Sequence, residues 1–374
     1  MRRITQAATA VAAASLLVLS ACGSGRTADT STTSGAAGSS GAAATGGFAA
    51  GATVGVALPS KTSENWVLAG QLFTDGITAA GFTPDVQYAA ASGTVADQQA
   101  QISSMVTKGA KVIIIGAADG SQLTTQVAAA KAAGATVIAY DRLILNTPDV
   151  DYYVAYDNKK VGNLQGQALL DGMKAKKATG PWNIELFSGS PDDANAPVFF
   201  DGAMEILKPA IDSGEVVVGS GQVDISQTAT DGWKAENAQR RMDNLLTSTY
   251  TSKELDGVLS PNDTLARAII TSVKNAGKPV PVVTGQDSEV ESVKSIMAGE
   301  QYSTINKDTR ALVAAAIQMA TDLSQGKAPK ADNTTEYNNG VKVVPAQLLD
   351  PVIVTKENAA EAYANDPTLE PLTK

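Results

Sequence analysis

Histidine is absent from all 374 residues, cysteine occurs once, and 29 Lys and Arg are outnumbered by 38 Asp and Glu. Without histidine there is no Ser-His-Asp hydrolase, no His-ligated zinc and no general base of the commonest kind near neutral pH. One cysteine excludes an intramolecular disulfide framework and a cysteine-cluster metal site. The formal net charge of −9 argues against nucleic acid, whose phosphates ask for a basic surplus. Aromatic residues are also scarce, 5% of the chain with three Trp. No catalytic residue, cofactor or metal is expected.

What is present is a chain long enough for two domains, each with its own core, and 44% hydrophobic residues to build them. Arg2 and Arg3 lead into an apolar run, Ala7 to Leu19, too short for a stable membrane span and read as a signal peptide over residues 1–21. It ends in Leu19-Ser20-Ala21-Cys22, which resembles the lipobox of bacterial lipoproteins. That resemblance implies lipidation of Cys22, which becomes the mature N-terminus. A plain secretory signal ahead of a buried cysteine is the alternative, weakened because the chain's one Cys sits at this position.

From Gly23 to about Ala50 the chain is Gly, Ser, Thr and Ala with little apolar bulk, too little to offset its ordering entropy. Residues 22–50 are expected to be a lipidated flexible tether, with a reach of roughly 30 Å. No second apolar span of membrane length follows.

After residue 51 a strand–helix rhythm sets in. Val54–Leu58, Val112–Ile115 and Thr136–Tyr140 are continuous apolar runs of the buried parallel type, separated by helical stretches such as Ala96–Thr107 and Gln122–Ala133. The rhythm restarts with Asn183–Phe187, Val216–Val218, Asp256–Leu259 and Val280–Val283, with helices near 160–173, 195–207, 234–248 and 263–276. The pattern predicts an α/β protein of two doubly wound lobes with a cleft between them. Ligands of open α/β sheets gather at the carboxyl ends of strands.

Strand ends here carry carboxylates. Asp119-Gly120 follows the run ending at Gly116, and Asp141-Arg142 follows Tyr140. Phe187 leads into Gly189-Ser190-Pro191-Asp192-Asp193-Ala194-Asn195, Leu259 into Ser260-Pro261-Asn262-Asp263, and Val283 into Gly285-Gln286-Asp287. Any one of these could be a helix cap or turn residue, Asp141-Arg142 a local ion pair, and Lys307 a solvated charge. Together they match what a neutral sugar needs: carboxylates and amides, a cation, and flat aromatic faces. Trp66, opening the first helix, and Trp233, ahead of a helix in the second unit, are the candidate faces. Trp182 precedes a strand core and reads as packing.

Asp192-Asp193 could be a glycosidase carboxylate pair, but neighbours on one turn seldom flank a bond from opposite sides. No G-x-S-x-G elbow, P-loop or calcium-loop pattern occurs.

The strings Val137–Ile144, Asn183–Phe187, Gly189–Asp193, Thr284–Asp287 and Ala298–Thr304 resemble the monosaccharide-binding proteins of bacterial ABC importers, of the multiple-sugar-binding and xylose-binding type. The similarity runs from about Val54 to Thr355. It implies the type I periplasmic-binding-protein fold: two Rossmann-like lobes with parallel sheets joined by a three-crossover hinge, crossing near Tyr156, Gln286 and Lys330. Residues 51–156 plus 287–330 would form the N-terminal lobe, and 157–286 plus 331–374 the C-terminal lobe. By that resemblance the sugar pocket takes Trp66, Asp141, Arg142, Asn195, Asp263 and Asp287. Asp119 and Lys307 fall at further polar positions, and Trp233 at the second lobe's aromatic platform. Relatives tend to carry Arg where this chain has Asn65, which removes a strong donor from the pocket.

The expected function is a lipid-anchored, extracytoplasmic, monomeric solute-binding protein that captures an aldopentose or aldohexose and delivers it to an ABC permease and its ATPase. Its contact with the membrane would run through Cys22. A sugar-sensing co-receptor for a membrane kinase would use the same pocket. A sugar-responsive repressor would need an N-terminal helix-turn-helix in place of the signal and tether. An adhesive lipoprotein would not need polar groups converging at strand ends.

Overall fold

Strand-forming runs and amphipathic helices alternate because the central strands are covered on both faces, as a computed structural model describing residues 47–61, 63–90 and 94–374 shows. The signal peptide, Cys22 and residues 23–46 lie outside the described residues. The first lobe opens with β1 (Thr53–Leu58), α1 (Glu64–Ala79), β2 (Thr83–Tyr88), α2 (Thr94–Thr107), β3 (Val112–Ile115), α3 (Thr124–Ala132), β4 (Thr136–Tyr140) and β5 (Tyr152–Tyr156). Side chains alternate across this sheet with the two-residue period of a strand. Val54, Val56 and Leu58 join Phe73 and Ile77 of α1 on one face. Ala57, Ile113 and Ile115 join Ile102 and Met105 of α2 on the other.

The second lobe contains α4 (Asn158–Lys176), β6 (Trp182–Leu186), α5 (Asn195–Asp212), β7 (Val216–Val218), α6 (Ile225–Thr228), α7 (Ala235–Ser248), β8 (Gly257–Leu259), α8 (Asp263–Asn275), β9 (Val282–Val283), α9 (Val290–Met297) and β10 (Ser303–Asn306). Its parallel sheet runs β7-β6-β8-β9. Leu169, Met173, Phe200 and Leu207 cover one face of it. Met242, Leu245, Leu265 and Ile269 cover the other. Trp182 is 1% exposed, its indole donating to the Lys177 carbonyl at 3.1 Å, so it packs as expected.

The chain then returns to the first lobe through α10 (Thr309–Ser324), whose Leu312, Val313 and Ala316 pack into the α1 face. It adds β11 (Ala346–Leu349) parallel to β5, giving the order β11-β5-β4-β3-β1-β2, and leaves again through β12 (Val352–Thr355) and α11 (Ala359–Ala362). β12 pairs antiparallel with β10.

The lobe boundaries therefore differ from those expected at 286/287 and 330/331. Residues 287–306 stay with the second lobe, because α9 packs under Val354 and Tyr363 and β10 pairs with β12. Residues 331–349 belong to the first, because β11 extends its sheet. The tether also ends earlier than Ala50: Phe48 donates its N–H to the Ser324 carbonyl at 3.1 Å and lays its ring 5.6 Å from that of Phe82. No described helix is long and apolar enough to cross a membrane.

Candidate functional site

The carboxyl ends of both parallel sheets open onto one cleft of about 990 Å³, near the upper end of the usual range for a small-molecule site. The first lobe contributes Asn65 and Trp66 from the start of α1 and Asp141 and Arg142 from the end of β4; the second contributes Asp193, Asn195, Trp233, Asn262 and Asp287. Lys307, at the crossover between β10 and α10, also lines it.

Trp66 is fixed from behind. The Tyr88 hydroxyl donates to its carbonyl at 2.7 Å, and Tyr140 meets its ring edge-on at 6.2 Å. A Cβ at Gly116 would come within 2.8 Å of the indole, so only glycine leaves that ring its place. The Arg142 guanidinium stands 5.5 Å from the same ring. Trp233 repeats the device in the other lobe: its ring lies over Gly189, where a Cβ would be 2.3 Å away. Its buried indole N–H has no hydrogen-bond partner among the described residues.

Asp141 sits at φ 60°, a left-handed turn that ends β4 and sends Arg142 back towards the sheet. Arg142 Nη1 donates to the Ala117 carbonyl at 3.2 Å, and its Nε lies 3.0 Å from Asp193 Oδ2. The latter contact is a charge pair without hydrogen-bond alignment, since Nε lacks an aligned acceptor. Asn195 opens α5 and stitches the lobes together. Its amide donates to the Asp141 carbonyl at 2.7 Å, and its oxygen accepts from Tyr153 and Asn158. Much of its hydrogen-bonding capacity is thus spent within the protein.

Asp287 (φ 97°) pairs with Lys307 at 3.0 Å. Lys307 is no solvated charge: its side chain is 11% exposed and its ammonium lies 5.4 Å from the Phe199 ring. Burial disfavours its charge, yet Asp287 and Asp141, with Asp193, outweigh that and hold the ammonium above the ordinary lysine value. Burial likewise pushes the Asp141 carboxyl up, the Lys307 charge holding it back. Cation and carboxylates depend on one another here.

Two expected residues are not brought into the cleft. Asp263 is fully buried: its carboxylate accepts from Gln301 Nε2 at 2.8 Å, Thr304 Oγ1 at 2.9 Å and the Glu289 N–H at 3.0 Å. A Cβ at Gly285 would meet it at 2.1 Å. Burial first, then the nearby Glu289 and Asp287 charges, pushes its carboxyl well above the usual range. The cleft position falls instead to Asn262, which also caps α8 by accepting from the Leu265 N–H at 2.9 Å. Asp119 closes a local turn, accepting from the Ser121 N–H at 2.8 Å and its hydroxyl at 2.7 Å. It lines a second cavity of about 1140 Å³ rather than the cleft.

Asp193 and Asn262 were missed as cleft residues. Asp193 lies two positions before Asn195, which does line the cleft, and Asn262 directly before Asp263, which does not, so the strand-end rule located both loops and chose the wrong residue in the second.

Against known proteins, the model of the periplasmic binding protein domain family matches residues 54–328. The multiple sugar-binding periplasmic receptor of Rhizobium radiobacter is 50% identical over 311 residues, covering 82% of this chain and 87% of that protein. The D-xylose-binding periplasmic protein of Escherichia coli is 36% identical over 314 residues, covering 84% and 89%. Among solved structures, an ABC transporter solute-binding protein from Clostridium phytofermentans with bound β-D-glucose superposes with a TM-score of 0.82 at 38% identity, covering 86% of this chain and 100% of that one.

Proposed function

The chain belongs to the periplasmic binding protein family, and on that premise we propose that it captures a neutral aldopentose or aldohexose between its lobes and presents it to an ABC importer. What carries the reading is the placement of one indole from each lobe, Trp66 and Trp233, around hydrogen-bonding groups that also come from both lobes. Apolar C–H faces of a sugar suit the rings; its hydroxyls suit Asp141, Asp193, Asn262 and Asp287, which accept, and Arg142 and Lys307, which donate. The solute-binding proteins that match at 38% and 35% identity, from Clostridium phytofermentans and Chloroflexus aurantiacus, both hold glucose, which supports an aldose here. It is a binding protein and not an enzyme, as its sugar-binding relatives are.

A hexose has about 12 heavy atoms, so micromolar binding asks about −0.7 kcal/mol of each. Charge-assisted hydrogen bonds of about 1.5–3 kcal/mol each, with stacking, supply that after the closing cost. A ligand that touches both lobes stabilises the closed arrangement, which a permease then reads. Cys22 would hold the protein at the outer face of the membrane, the lipobox match and its being the chain's one cysteine supporting this.

The test is a thermal-shift and calorimetric screen against monosaccharides. A sugar at 100 times its Kd raises stability by about 2.7 kcal/mol, a shift of several degrees. A folded protein that responds to no aldose would overturn the reading.

A further inference from the structure

One contact between the lobes lies outside the sugar-facing groups. Glu64, in the first turn of α1, accepts a hydrogen bond on its Oε2 from the backbone N–H of Val290 at 3.0 Å. Val290 is the first residue of α9, in the other lobe. A helix start leaves backbone N–H groups without intrahelical partners, and a side chain of the capping residue normally answers one of them. In α9 the capping residue is Glu289, and it makes no such bond. Its carboxylate is committed elsewhere, to Arg267 at 2.7 Å and to the Thr264 hydroxyl at 2.8 Å. The N–H of Val290, at the first helical position, has no intrahelical acceptor and lies outside the reach of a usual cap, so its acceptor comes from the other lobe.

We infer that Glu64 is a latch, a carboxylate of the first lobe that caps α9 of the second only when the lobes are together and so stabilises the closed form without touching the ligand. The inference rests on the sugar-capture reading for its consequence but not for its geometry. Opening the cleft parts Glu64 from Val290 and hands both to water, so the bond contributes to the closed state alone. A negative charge at a helix start adds a favourable interaction with the helix dipole. Glu64 is exposed and Asn65 beside it lines the cleft, so the latch sits at the rim, where it restrains release more than entry.

The test is a double-mutant cycle on the full chain. Val290 holds the first helical position, where proline is well tolerated, and Glu289 at φ −64° and ψ 142° already has the backbone that a following proline requires. Val290→Pro thus deletes the N–H that Glu64 accepts and keeps the helix; Val290→Ala controls for the side chain. Glu64→Ala is expected to raise the Kd of the best-bound sugar about two- to fivefold, the range for an exposed charge at a helix start, chiefly through faster dissociation. Glu64→Gln, which keeps an acceptor, should fall between Ala and wild type. Val290→Pro should match Glu64→Ala, and the pair together should weaken binding no further than either alone.

Wild-type binding that Glu64→Ala leaves unchanged, or additive effects in the cycle, overturns the latch and leaves sugar capture standing. No binding of any sugar by wild type overturns the capture reading instead. The latch is then decided by amide hydrogen exchange in peptides spanning residues 289–297: Glu64→Ala should speed exchange at the start of α9 and leave its end unaltered, and equal exchange in both proteins sinks it.

Discussion

Arg142 and Asp193 stand 3.0 Å apart, one at the end of β4 in the first lobe and the other in the loop after β6 in the second, with side chains 14% and 4% exposed. Each is buried because the other is there. Removing one strands a charge, which typically costs about 3–5 kcal/mol, whereas removing both does not. Arg142→Ala is accordingly expected to lower stability strongly and to weaken sugar binding by thirtyfold or more. Adding Asp193→Asn should recover much of the stability and little of the affinity. Calorimetry and thermal melts of the three proteins decide it: a double variant no more stable than Arg142→Ala would refute the pairing.

Asp263 is expected to act on stability and not as a sugar ligand. Its raised carboxyl value means that the folded state holds a proton more tightly than the unfolded chain does. Its contribution is then fully present below the unfolded value of about 3.9 and is lost as pH rises through the higher folded value. Asp263→Ala, which leaves three donors without their acceptor, should destabilise by about 1–3 kcal/mol. The melting-temperature gap to wild type should be wider at acidic than at neutral pH. A gap that does not vary with pH would remove the basis for this sign.

The sequence made the first lobe's central strands legible because Val54–Leu58, Val112–Ile115 and Thr136–Tyr140 are apolar on both faces. β2 was not legible: TPDVQY is a half-buried edge strand with a proline, polar enough to pass for loop. Lobe boundaries were misplaced because pairings such as β11 with β5 join segments far apart in the chain and carry no local signal. Within the site, loops were found from strand ends, but which of two adjacent residues faces the cleft depends on caps and left-handed turns. Asn262 takes the cleft and Asp263 the interior because Asn262 caps α8 while Asp263 reaches Thr304 and Gln301.

Lys307 balances Asp287 and Asp141 in a buried setting, so Lys307→Met leaves like charges facing each other. Its expected effect is a loss of both stability and affinity. Asp287→Asn introduced alongside it should restore folding in part, since one unpaired carboxylate is then removed. Thermal melts of the single and double variants check this, and an added loss in the double variant would show that Asp287 does not depend on Lys307.

Cys22→Ser separates anchoring from binding. The variant is expected to leave the membrane fraction and to keep the sugar affinity of the wild type, measured on the released protein. Retention in the membrane fraction would argue against lipidation at this residue.

Glycines on facing sides of α4 and α5 bring the two helices close. A Cβ on Gly162 of α4 would lie 2.1 Å from the Phe199 carbonyl oxygen, and one on Gly202 of α5 would lie 2.4 Å from the Lys159 carbonyl oxygen. Both obstacles are backbone and cannot rotate away. In an open helix, Gly→Ala favours folding by about 1 kcal/mol. At Gly162 the clash should reverse the sign, destabilising by about 1–3 kcal/mol. It should also push away α5, which carries Asn195 at its start and Phe199 beneath Lys307, so sugar affinity should fall with stability. Gly76→Ala in α1 is the contrast, because its added Cβ meets the tip of Ile317 at 2.5 Å, a side chain free to move. That variant is expected to fold as well as wild type and bind as well. Equal losses at both positions would mean that close backbone approach between α4 and α5 does not set the cleft's geometry.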